Sequence, residues 1–119
     1  MKKTVLAPLA GLVLGFGAHT ALAHALLESA SPPVGGTVDA PSQISITFSE
    51  GVEPKFSGIA LSGPGGAVPL GKANVSPGDN KVLVVKVGKK LAPGSYTVKW
   101  HAVSVDTHHT QGDFDFTVK

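Results

Sequence analysis

The sequence predicts an all-β domain: a single small Greek-key β-sandwich or barrel of the Ig-like kind, with about seven short strands. Three observations carry this. Apolar and polar residues alternate over short runs, clusters of Gly, Pro, Ser, Asn and Asp separate the runs, and no stretch competes with a helical period.

Residues 1–23 stand outside that fold, because they read as an export signal. Lys2 and Lys3 form a positive start, Val5 to Phe16 an apolar core, and Ala21-Leu22-Ala23 a small-residue cleavage site. The apolar stretch is shorter than the roughly 18 to 20 residues that span a bilayer, and no second such stretch follows. The mature chain is therefore expected to be one domain, residues 24–119, not embedded in a membrane. Ala23-His24-Ala25 also satisfies the small-residue rule, and a cut there would start the chain at Leu26.

A first strand is expected over Ala25 to Leu27, followed by a Pro- and Gly-rich loop from Ser29 to Pro41. Ile44, Ile46 and Phe48 alternate with Ser45, Thr47 and Ser49, which predicts a strand with one buried and one wet face. Gly58 to Leu61 and Ala67 to Leu70 are weaker strands around Gly63-Pro64-Gly65-Gly66, and Ser76-Pro77-Gly78-Asp79-Asn80 turns the chain again. Val82 to Val87 is almost continuously apolar. Tyr96, Val98 and Trp100 share a core face opposite Thr97, Lys99 and His101, in a strand reaching toward Val103 and Val105, and Phe114, Phe116 and Val118 form the last strand.

Charge and sulfur content exclude several functions. Eight lysines balance eight acids after residue 23, and the chain has no arginine, so it lacks the basic footprint that binds nucleic acid. There is no cysteine, and the one methionine is Met1, so neither disulfides nor sulfur ligands for soft metals are available to the mature protein.

The chemistry rests on histidine and aspartate. Cleavage after Ala23 would leave His24 as the first residue, whose imidazole and free α-amine can chelate one ion together. Asp106 and His108, two apart in what reads as an extended segment, would project to the same side and add an oxygen and another nitrogen. This sulfur-free set suits tetragonal Cu(II), which the Irving–Williams order places above nickel and zinc, although zinc fits on ligand type alone. The plainer readings are solvated histidines in a polar loop and a turn-capping Asp106.

Several separated motifs resemble the CopC family of periplasmic copper-resistance proteins: His24, Ser31-Pro32 with Gly35, Phe48-Ser49-Glu50, Pro93-Gly94-Ser95-Tyr96, and Trp100 through His108 followed by Gly112, Phe114 and Phe116. The resemblance covers residues 24–119 and implies a cupredoxin-like Greek-key barrel, maturation to an N-terminal His24, and one Cu(II) per chain held by His24, Asp106 and His108. It implies Glu50 as an extra ligand or a partner to one. Some members carry a methionine-rich loop for Cu(I); the corresponding stretch from Leu61 to Val75 holds no methionine here, which implies a Cu(II)-only member. The implied role is copper resistance and homeostasis in the periplasm, by sequestering copper or delivering it to an inner-membrane transporter of the CopD type, without catalysis. His101 and His109 are expected at the surface. A copper mono-oxygenase with an N-terminal His has a similar constellation, but few residues remain here for substrate-binding loops, and Asp106 would occupy a position that oxygen needs. A metal-free Ig-like interaction module is the remaining alternative.

Overall fold

A computed structural model describes residues 25–119; residues 1–24, including the expected signal and His24, lie outside the described residues. Nine strands form two sheets. The four-stranded sheet has the order β1-β3-β7-β6 and the five-stranded sheet the order β2-β9-β8-β4-β5. The strands are β1 (Leu27–Ser31), β2 (Thr37–Val38), β3 (Gln43–Phe48), β4 (Gly58–Gly63), β5 (Gly66–Val68), β6 (Asn74–Ser76), β7 (Asp79–Lys86), β8 (Gly94–Val103) and β9 (His109–Val118). Hairpins join β4 to β5, β6 to β7 and β8 to β9 within a sheet, while the other connections cross between sheets. A β-sandwich results, as the alternation predicts.

The period-2 pattern places the core. Ile44, Ile46 and Phe48 on β3 and Leu83 on β7 are fully buried, and they face Val98 and Trp100 on β8 and Phe114 and Phe116 on β9. Phe48 meets Trp100 edge to face with ring centroids 5.2 Å apart, joining the two sheets at the end of β3. Tyr96 stacks on Phe116 at 5.6 Å and donates its hydroxyl to the Ala92 carbonyl at 2.6 Å, so its polar tip is satisfied while its ring is buried.

The expected count of about seven strands falls short by the two shortest. β2 has two residues, too few for alternation to register, and it pairs in parallel with β9. β6 has three, and the chain turns at Pro77-Gly78 into β7, which begins earlier than Val82. β1 lies later than expected, at Leu27–Ser31, and runs into what reads as loop. Ala67 to Leu70 also shortens: β5 ends at Val68, and Leu70 makes an isolated bridge to Val87. The reach of β8 toward Val105 is corrected as well. The strand stops at Val103, and residues 104–108 turn into β9, which begins at His109 rather than near Phe114.

Gly112 shows how tightly the sheets meet. It pairs with Trp100, and a Cβ built on it would lie 2.8 Å from the indole Cζ2. The ring is wedged against Phe48 and cannot swing away cheaply, so Gly112→Ala should lower stability by about 1–3 kcal/mol, the usual cost of overpacking. Urea unfolding checks this, and an unchanged midpoint would show that the indole has room to move.

Candidate metal centre

The β8–β9 hairpin pairs in unbroken register from Gly94 with Val118 to Val103 with His109, and the five residues that close it carry Asp106 and His108. These two are not in an extended segment. Thr107, between them, has φ 74°, and its N–H donates to the Ser104 carbonyl at 2.8 Å, so a tight turn curls Asp106 back toward His108. The two side chains come together, with turn geometry as the cause instead of strand pleat. A β-branched residue in the left-handed region stores strain, typically about 1–3 kcal/mol. The turn is held against it by Ser104 N–H donating to the His108 carbonyl at 2.9 Å and Val105 N–H to the Gly51 carbonyl at 3.0 Å.

Asp106 Oδ1 lies 3.2 Å from His108 Nδ1, with both side chains about half exposed (44% and 49%). Nitrogen and oxygen donors about 2.0–2.2 Å from one divalent ion and about 90–110° apart stand about 2.8–3.6 Å from each other. The observed separation fits two adjacent positions round a shared ion. The Ser104 hydroxyl donates to Asp106 Oδ1; this bond, and then the one from His108, hold the Asp106 carboxyl below its ordinary value of 3.8. Asp106 is thus ionised throughout the neutral range.

The segment after β3 brings the rest of this end together. Ser49 N–H donates to the Leu26 carbonyl at 2.8 Å, and Leu26 N–H donates to Ser49 Oγ at 2.9 Å. Val52 bridges to Ser104 and Glu53 N–H donates to the Val103 carbonyl at 2.8 Å. A Cβ on Gly51 would come within 2.5 Å of Asn80 Nδ2, at the end of an exposed side chain that packs over this segment. The Thr110 hydroxyl donates to the Ala25 carbonyl at 2.8 Å, and Ala25 is fully buried. The chain is therefore anchored one residue after His24 and two residues along β9 from His108. His24 itself lies outside the described residues.

Among the described residues no three His, Cys, Asp or Glu side chains form a metal-holding group, so Asp106, His108 and Glu50 do not make one by themselves. Glu50 lies within the segment after β3, partly buried. His101 and His109 are exposed on the outer face of β8 and β9, with the His101 imidazole lying over Gly58. Ser104, Ser49 and Thr110 are site residues that sequence reasoning missed. Their signal was slight: hydroxyl residues one to two places from candidate ligands, with nothing to show that Ser104 is buried or that Ser49 and Thr110 have partners distant in sequence.

The CopC domain profile matches residues 27–119. Protein YobA of Escherichia coli K12 is 43% identical over 99 residues, covering 82% of this chain and 80% of that protein. Copper resistance protein C of Escherichia coli is 41% identical over 117 residues, covering 92% of this chain and 91% of its own. Among solved structures, PcoC, described as a methionine-rich copper resistance protein from Escherichia coli, superposes with a TM-score of 0.74 at 37% identity, over 81% of this chain and 99% of that one.

Two outcomes test the turn. A carboxyl whose folded value is lowered stabilises the protein above its ordinary value, and that contribution is lost as pH falls through the lowered one. The gap in urea midpoint between wild type and Asp106→Asn, measured without metal, should therefore be present near about pH 6 and shrink as pH drops below about 4; a gap independent of pH would contradict the Ser104 and His108 contacts. Thr107→Asn, which tolerates a positive φ, should raise stability by about 0.5–1 kcal/mol, read from the same melts.

Proposed function

Because this chain belongs to the CopC family, we propose that it is a periplasmic Cu(II)-binding protein serving copper resistance and homeostasis, holding one ion per chain through His24, Asp106 and His108. The observation that carries this is the Asp106–His108 pair: a carboxylate held ionised 3.2 Å from an imidazole on one short turn. The turn lies at the end of the sandwich where the chain enters at Ala25.

His24 would add its imidazole and, after cleavage following Ala23, its α-amine. That gives three nitrogens and one carboxylate oxygen, a donor set matched to tetragonal Cu(II). Glu50, on the segment that joins the chain entry to the turn, would be an additional ligand or a hydrogen-bond partner to one. The mature chain would begin at His24 and occupy the periplasm, and residues 1–23 would be its signal. Among the described residues no helix is long and apolar enough to cross a membrane.

The absence of sulfur separates this protein from the methionine-rich PcoC. With Met1 as the only methionine and no cysteine, no thioether or thiolate site for Cu(I) can be built in residues 24–119. The protein would therefore sequester Cu(II), or hand it to an inner-membrane transporter of the CopD type, without reducing it. No catalytic step is needed, since the residues at the turn serve only to bind.

The test is a Cu(II) titration of the exported protein, with its N-terminus sequenced and the bound ion followed by electron paramagnetic resonance. One nitrogen-rich tetragonal Cu(II) per chain is expected. His24→Ala or Asp106→Ala should each weaken binding by at least the about 10- to 100-fold that loss of an outer partner costs, with the fold unchanged. Because Asp106 is already ionised, copper affinity should fall with pH as protons compete for the imidazole and α-amine nitrogens. A mature start at Leu26, or variants that bind as well as wild type, would overturn the ligand set.

A further inference from the structure

We propose that Ser104 is the positioning residue of this centre: its hydroxyl fixes the Asp106 carboxylate in the orientation from which it meets the ion. The proposal rests on reading Asp106 and His108 as copper ligands.

Ser104 is fully buried, while the two side chains it serves are half exposed. A buried hydroxyl is costly unless bonded, and this one spends every polar atom on the turn. Its backbone N–H goes to the His108 carbonyl, its carbonyl accepts from Thr107, its Oγ accepts from His108 N–H at 3.2 Å, and its single hydroxyl proton goes to Asp106 Oδ1. The competing acceptor for that proton, the His108 carbonyl, lies 3.4 Å away and carries no formal charge, so the carboxylate wins.

Ser104 Oγ and His108 Nδ1 both meet Oδ1, which leaves Oδ2 as the carboxylate oxygen outside this pair of bonds. An aspartate on an exposed turn ordinarily samples several rotamers, and ordering one on binding weakens affinity. Here the ordering is done beforehand. An incoming ion that takes the His108 nitrogen displaces the His108 contact, but the buried Ser104 bond can persist in both states. Outer groups that orient a metal ligand act in this way.

A purely structural serine would also matter to the turn, so the test is a double-mutant cycle on the mature protein. Cu(II) affinity is measured by competition for wild type, Ser104→Ala, Asp106→Ala and the double variant, with urea unfolding of each. Ser104→Ala should weaken Cu(II) binding about 10- to 100-fold in the wild-type background, and by less than about twofold once Asp106 is alanine. In metal-free protein, the His108 amide should exchange faster in Ser104→Ala, with the amides in the middle of β8 and β9 unchanged. If Ser104→Ala does not fold, Ser104→Gly removes the same donor, leaves room for a water at the His108 N–H, adds no sulfur ligand, and should show the same loss. An unchanged affinity, or an equal loss in both Asp106 backgrounds, overturns the positioning role. Wild-type protein that takes up no stoichiometric Cu(II) overturns the copper reading itself, and this proposal with it.

Discussion

Between Ser49 and Glu53 the backbone is hydrogen-bonded in succession to Leu26, to Val105 on the turn, to Asn80 on β7 and to Val103 at the end of β8. Those few bonds tie together the chain entry, the four-stranded sheet and the turn that carries Asp106 and His108. The segment can do this because β3 delivers it from a fixed place. Phe48, its last strand residue, is fully buried and packed against Trp100 on the opposite sheet. A shift of β3 along its partners would move every one of these attachments together.

The strands were readable wherever one face is buried and the run is long enough for alternation to appear. β3, β8 and the second half of β9 meet that condition; β2 and β6 are too short to meet it, and the pairing of β2 depends on β9, far along the chain. The nearness of Asp106 and His108 was legible from their spacing, but its cause was not. Thr107 is β-branched and reads naturally as strand, and only the bonds made by Ser104 and Gly51 explain why it turns instead. Ser104 is the clearest loss. Nothing local says that this serine is fully buried or that its proton is committed to a carboxylate two residues on.

The charge chemistry of the turn follows from this arrangement. Two donors on one carboxylate oxygen favour the ionised form of Asp106, while exposure of the pair leaves the site open to an ion from solvent. Residues 24–119 hold no sulfur and can offer an ion only nitrogen and oxygen. PcoC, described as methionine-rich, shares the sandwich, so the two differ in side-chain chemistry on a similar scaffold.

The hydrogen bond from Thr110 to the Ala25 carbonyl spans 85 positions of the sequence. The β8–β9 hairpin is a local structure, able to close with little loss of chain entropy, whereas Ala25, just before β1, finds its partner almost at the other end of the chain. The turn can thus exist before the first residues are in place. A centre drawing on both would be complete only when this 85-residue span has closed, so metal occupancy would report that closure.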